Sequence, residues 1–165
     1  MPRISRKVSE SKTVVAGVMM PQDANLAGNV FGGTILKMVD EIAYVVATRH
    51  TRTNIVTVTL DRMTFHSPVH IGDLLTLKAS VNAVWRSSME IGVRVEAEDP
   101  RTGEIRHTGS SYLTVVALDT LGKPCEAPEL VLETSDDHIR NQEAGRRRAR
   151  RLEEKAVERS ISEER

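Results

Sequence analysis

A chain of 165 residues, 39% hydrophobic, has room for one domain with a sizeable core, or for one domain and a tail. Aromatic residues are only 3%, so the core is expected to be aliphatic, and a base-stacking nucleic-acid platform, which needs exposed rings, is disfavoured. The 23 basic and 23 acidic side chains cancel, and no apolar run approaches the ~20 residues of a bilayer span, so neither a nucleic-acid nor a membrane partner is expected.

The single cysteine, Cys125, excludes a disulfide or a Cys-based metal site within one chain. The polar first residues do not resemble a signal peptide, and a cytoplasmic location is expected. Residues 1–12 are polar and read as a flexible N-terminus. Thr13 to Met19 is β-branched and fits a first strand. Pro21 to Gly28 is a loop by composition. Ile35, Leu36, Val39, Ile42, Ala43 and Val46 then recur at helical spacing, which predicts one long helix from about Gly33 to about Thr51.

After the helix the period changes to two. Strand texture starts at Ile55 and continues to Val69, and His70 to Asp73 is a turn. Leu74 to Trp85, Met89 to Ala97 and Glu104 to Leu118 read as three further strands, and Pro124 and Pro128 end the ordered core. Strands in succession joined by tight turns imply antiparallel pairing, hence an α+β layer structure with one helix on one sheet. The helix is apolar enough that a strongly curved sheet is expected to wrap most of its circumference.

Several groups of residues could carry chemistry. Asn25 lies in a polar loop that leads to Gly32-Gly33 at the helix start, where unpaired backbone N–H groups could face a developing oxyanion. Taken alone, the same residues make an ordinary turn and helix cap. Asp40, with Glu41 beside it, sits mid-helix in the most apolar part of the chain. Enclosed there it could serve as general base or nucleophile; on an exposed face it would simply be solvated. Thr57, Thr59 and Thr64 suit a strand without further purpose. His50, His66, His70, His107 and His138 have no metal-ligand spacing, and no metal site is expected. Arg86, Ser87 and Ser88, between two strands, could meet phosphate or form a polar turn. The run from Arg146 to Arg151 is followed by five acidic residues, so a solvated or oligomer-contacting helix is expected there rather than a polyanion site.

The segments from Met20 to Gly33 and from Leu36 to Asp40 closely resemble the hot-dog acyl-CoA thioester hydrolases, in particular the YciA-like bacterial enzymes and the mammalian brain-type acyl-CoA hydrolase. Ala47-Thr48-Arg49-His50, Val56-Thr57, Phe65 to Val69 followed by Gly72-Asp73, and Arg86 to Met89 continue the resemblance in order and spacing. It covers about residues 13–126 and shows no departure at the key positions. Phe31 stands where other members carry His.

The resemblance implies a hot-dog fold over 13–133, with the long helix inside a curved antiparallel sheet. It also implies a homodimer, often a trimer of dimers (a hexamer), with active sites between subunits. Asn25 and Asp40 match the family's catalytic residues, supplied by opposite subunits, and Thr57 matches a hydroxyl that supports the acid. Gly32 and Gly33 would bind the thioester oxygen, and Arg86, Ser87 and Ser88 would bind CoA. No cofactor is implied beyond the CoA of the substrate. The alternative is an acyl-CoA-binding or regulatory hot-dog module without turnover, although such a binder has no need of the Asn25–Asp40 pair. A hydratase would need a catalytic His on a different motif, and none is found. Residues 134–165 fall outside the resemblance. They read as a charged helical tail with a thin stripe of Ala149, Leu152 and Ala156, ordered by a neighbouring subunit.

Overall fold

A computed structural model describes residues 3–163. Strand β1 (Ser5–Lys7) and a helical turn α1 (Val8–Ser11) precede β2 (Thr13–Val18). A 3-10 turn (Pro21–Asp23) leads through a loop to the long helix α2 (Gly32–Thr51). Then come β3 (Asn54–Leu60), β4 (Leu74–Val84), β5 (Ser88–Asp99), β6 (Glu104–Leu118), β7 (Glu129–Val131) and a second long helix, α3 (Ser135–Glu163). No helix among the described residues is long and apolar enough to cross a membrane.

Five strands form one antiparallel sheet in the order β2-β4-β5-β6-β3, with the hairpins β4–β5 and β5–β6 at its centre. Alternation divides the two faces. Leu75, Leu77, Ala79, Val81, Met89, Ile91, Val93, Val95, Leu113, Val115 and Ala117 point to the concave side and are buried. There they meet Ile35, Val39, Ile42, Ala43, Val46 and Ala47 of α2, so the core is aliphatic as composition required. α2 ends at Arg52, which takes a left-handed conformation (φ 59°) while its N–H bonds the Thr48 carbonyl. The hot-dog arrangement of helix and curved sheet is therefore present.

Five expectations need correction. Residues 5–11 are not loose: β1 pairs in parallel with β7, Val8 is buried, and the Ser9 N–H donates to the Glu133 carboxylate. The polar residues there face outward, and the partner strand lies far along the sequence. For the same reason the ordered core runs on past Pro128 into β7. Residues 61–69 are irregular rather than strand, because Gly109 brings β6 so close to them that a Cβ there would sit 2.7 Å from the Thr64 carbonyl oxygen. The wrap around α2 is also incomplete: Asp40, Glu41, Tyr44 and Val45 are exposed, since five strands cover only one side of the helix.

The fifth correction concerns the arginine run. α3 lies on the chain's own convex sheet face, crossing it from β2 toward β3. Lys12 lies 3.7 Å from Asp137, Asn141 donates to the Asn82 carbonyl on β4, and Arg147 binds Glu90 on β5 and stacks over Tyr112 on β6. Arg151 reaches Asp61, just past β3. Glu90 is fully buried and accepts from Arg147 (Nη2, 2.7 Å) and from Asn82 Nδ2 (3.1 Å). Gly92 leaves room for that Asn82 amide; a Cβ there would sit 2.5 Å from it. Ala149 and Leu152 are exposed, so the expected stripe is not the seat of the helix. Residues 1, 2, 164 and 165, which belong to the two expected terminal segments, lie outside the described residues.

Candidate active site

α2 positions two of the sequence-derived site features. Its first turn, Gly32-Gly33, has N–H groups without partners inside the helix and carries partial positive charge. Two rings close around it. The Phe65 ring lies where a Gly32 Cβ would be 3.5 Å away, and the Phe31 ring lies so close across Gly33 that it leaves no room for a Cβ. Phe65 is brought there by the irregular segment after β3, which is fastened to β6 by the His66 N–H to the Thr108 carbonyl.

Two turns along, Asp40 projects from the uncovered side of α2 toward β3. Its Oδ1 accepts a hydrogen bond of 2.9 Å from Thr57 Oγ1. A register shift between Thr57 and Thr59 makes a bulge in β3, the kind of irregularity that re-aims a side chain. One carboxylate oxygen is thus fixed to the edge of the sheet, and the other is left to engage a water or a substrate. Lys37 and Glu41 pair with each other at 3.7 Å, not with Asp40.

Asn25 lies in the loop before α2. Its side-chain Oδ1 accepts from the Ala27 N–H (2.9 Å) and the Asn29 N–H (3.2 Å). Gly28 closes the same turn at φ 83°, a conformation that favours glycine. The side-chain carbonyl is committed to the loop, so what Asn25 has to offer a ligand is its NH2 donor. Leu26 at the loop tip is fully exposed. Among the described residues no hydrogen bond joins Asn25 to Asp40.

Arg86, Ser87 and Ser88 form the β4–β5 turn, closed by the Trp85 N–H to the Ser88 carbonyl. Ser88 pairs with Val116, two strands from the edge, on the convex face, whereas Thr57 and Asp40 lie on the concave side. Within one chain the turn is therefore not brought to the glycines or to Asp40. Sequence reasoning missed Phe65 as a wall of the site, and the signal it lacked was the Gly109 contact that folds residues 61–69 inward. No cluster of His, Cys, Asp and Glu among the described residues could hold a metal ion.

The fold and much of the sequence are shared with known proteins. The Thioesterase superfamily model matches residues 27–104. An acyl-CoA thioester hydrolase of Bacillus subtilis, YkhA, itself named as uncharacterized, is 38% identical over 81% of this chain and 77% of its own length. The chain belongs to the hot-dog acyl-CoA thioesterases. A solved apo-hexameric acyl-CoA thioesterase superposes with a TM-score of 0.90 at 35% identity, over 93% of this chain and 99% of its own. The acyl-CoA hydrolase of Staphylococcus aureus, solved with butyryl-CoA and CoA, gives 0.84 at 34% identity, over 96% and 99%. That hydrolase has also been solved with an Asn, an Asp and a Thr each replaced by Ala.

Proposed function

We propose that this acyl-CoA thioesterase works with Asp40 as general base, held by Thr57, at a site completed by Asn25 of a second copy. The bond between Thr57 and Asp40 carries the reading: it holds a carboxylate of α2 at a fixed angle beside an unpaired strand edge. The spacing of the three residues replaced in the Staphylococcus aureus hydrolase, 15 positions from Asn to Asp and 17 from Asp to Thr, equals that from Asn25 to Asp40 to Thr57.

The thioester carbonyl points at the Gly32 and Gly33 N–H groups. Water, relieved of a proton by Asp40, attacks the carbonyl carbon. The oxyanion that forms takes the two backbone donors. The C–S bond then breaks, the carboxylic acid is released, and the proton held by Asp40 passes to the CoA sulfur. Asn25 donates from its NH2 to the attacking water or to the thioester oxygen. Arg86, Ser87 and Ser88 bind CoA across the assembly rather than within one chain. No step calls on a metal or a further cofactor. The exposed Tyr44 and Val45, on the same uncovered side of α2 as Asp40, support a second copy as cover for the site.

Replacing Asp40 by Asn is expected to lower kcat by about 10²–10⁴-fold with the fold intact by circular dichroism. A near-normal kcat removes Asp40 from the mechanism. Mixing inactive Asn25→Ala with inactive Asp40→Ala protein is expected to restore part of the activity, because one site of each mixed dimer carries both residues. No recovery after verified subunit exchange overturns the shared site.

A further inference from the structure

We propose that residues 152–163 of α3 are an arm that packs on a second copy of the chain, joined at the unpaired β3 edge. The inference rests on the shared-site reading above and adds a contact that the site does not require.

The direction of α3 carries the argument. From Asp137 to Arg151 it steps over β4, β5 and β6, and Arg151 is its last anchor, at Asp61 beside the outer strand β3. Twelve helical residues remain, about 18 Å at ~1.5 Å per residue, and they are directed past the edge of the sheet. A cleft of about 390 Å3 opens beneath them, between Val58, Thr114 and Val116 below and Arg148, Lys155 and Glu158 above. The helix therefore lifts off its own sheet beside the unpaired β3 edge, where the proposed second copy would join.

Three further observations fit that occupant. Leu152, Val157 and Ile161 are each more than half exposed, although the helix continues through them. Among the described residues, 152–163 carry no tertiary anchor of their own, and apolar side chains on such a stretch gain from packing on another surface. β3 itself is unpaired on its outer side and shows Val56 and Val58 to solvent; exposed edges of that kind are normally covered or paired. Finally, Glu153, Glu154 and Glu158 are interspersed with Lys155 and Arg159, so two arms running antiparallel across a two-fold axis can bring acids to bases. The anchors Arg147 and Arg151 stay with their own sheet and only aim the arm.

The test combines truncation with cross-linking in full-length protein carrying Cys125→Ser. Ending the chain after Arg151 keeps both anchors and is expected to raise the dimer dissociation constant by about tenfold or more, measured by analytical ultracentrifugation. Single cysteines placed at Leu152, Ala156 and Ser160 are expected to give dimers with a short bismaleimide, while one at the exposed Gln142 on the anchored half does not. An unchanged dissociation constant, or equal cross-linking at Gln142 and at the distal positions, overturns the arm. The mixed-subunit assay separates the two readings. Recovered activity without distal cross-links sinks the arm and leaves the shared site standing. Loss of both recovery and cross-links removes the shared site as well.

Discussion

Helix α2 presses Ile35, Val39, Ile42, Ala43, Val46 and Ala47 onto the concave face of the sheet, whereas α3 meets the convex face through Ala144 and two arginines that enclose a fully buried glutamate. One attachment is non-directional and tolerant of volume-conserving change. The other is directional: Glu90 needs Asn82, Arg147 and Arg151 at their places, and Arg147 gains a further face from Tyr112 at 3.6 Å. Apolar burial supplies the greater part of the core, while the ionic seat fixes the angle at which a mostly charged helix lies. In a 29-residue helix with so few apolar residues, polar anchors of this kind, with Asn141 and Asp137 beside them, set the direction across the sheet.

The contrast can be broken most severely at Arg147. Its replacement by Met leaves Glu90 buried with a weakened partner set, and about 3–5 kcal/mol of stability is expected to be lost, read from urea unfolding. Adding Glu90→Met to that variant is expected to restore more than half of the loss, because no charge is then left buried. A double variant as unstable as the single one would mean that the seat is not ionic in origin. On the concave side, Ile42→Val is expected to cost only about 0.5–1.5 kcal/mol in the same assay.

The smallest effect is absent at neutral pH. His50, in the last turn of α2, is fully buried, and burial holds its pKa below the usual imidazole value, opposed by its hydrogen bond to the Pro128 carbonyl. The nearby charges of Arg3, Arg6 and Glu10 act in both directions. A group whose folded pKa lies below its unfolded value binds its proton first in the unfolded chain. Stability is therefore full above about pH 6.5 and falls as the pH drops from there toward the folded value. Thermal melts compared between about pH 7.5 and pH 5.5 are expected to show this loss, and His50→Gln is expected to diminish it. An undiminished loss in the variant would place the titration elsewhere.

What was legible in the sequence was what repeats. The helix bounds of α2 and the strands β4 to β6 follow from periods of 3.6 and two, because one face of each is buried against the same core. The Asn25, Gly32-Gly33, Asp40 and Thr57 series was legible only as a motif. Nothing in spacing alone shows that Thr57 turns toward Asp40, since that depends on the bulge in β3. The pairing of β1 with β7 was not legible, because three residues carry no period and their partner is more than 120 residues away. The arginine run was misread for a similar reason. Glu90 occupies a solvent-side position in the strand alternation, and only the docked helix makes that position the most enclosed carboxylate on the convex face.

The parallel pairing of Ser5–Lys7 with Glu129–Val131 has a consequence for the order in which the molecule is made. On a ribosome β1 emerges ahead of the rest of the domain, yet its hydrogen-bonding partner is not synthesised until the whole five-stranded sheet has been translated. Closing so long a loop is slow compared with forming the hairpins between β4, β5 and β6, which are local. The leading segment therefore waits, open to proteases and chaperones, until nearly the last residues of the sheet domain appear. Its protection from amide exchange then marks completion of the domain rather than its beginning.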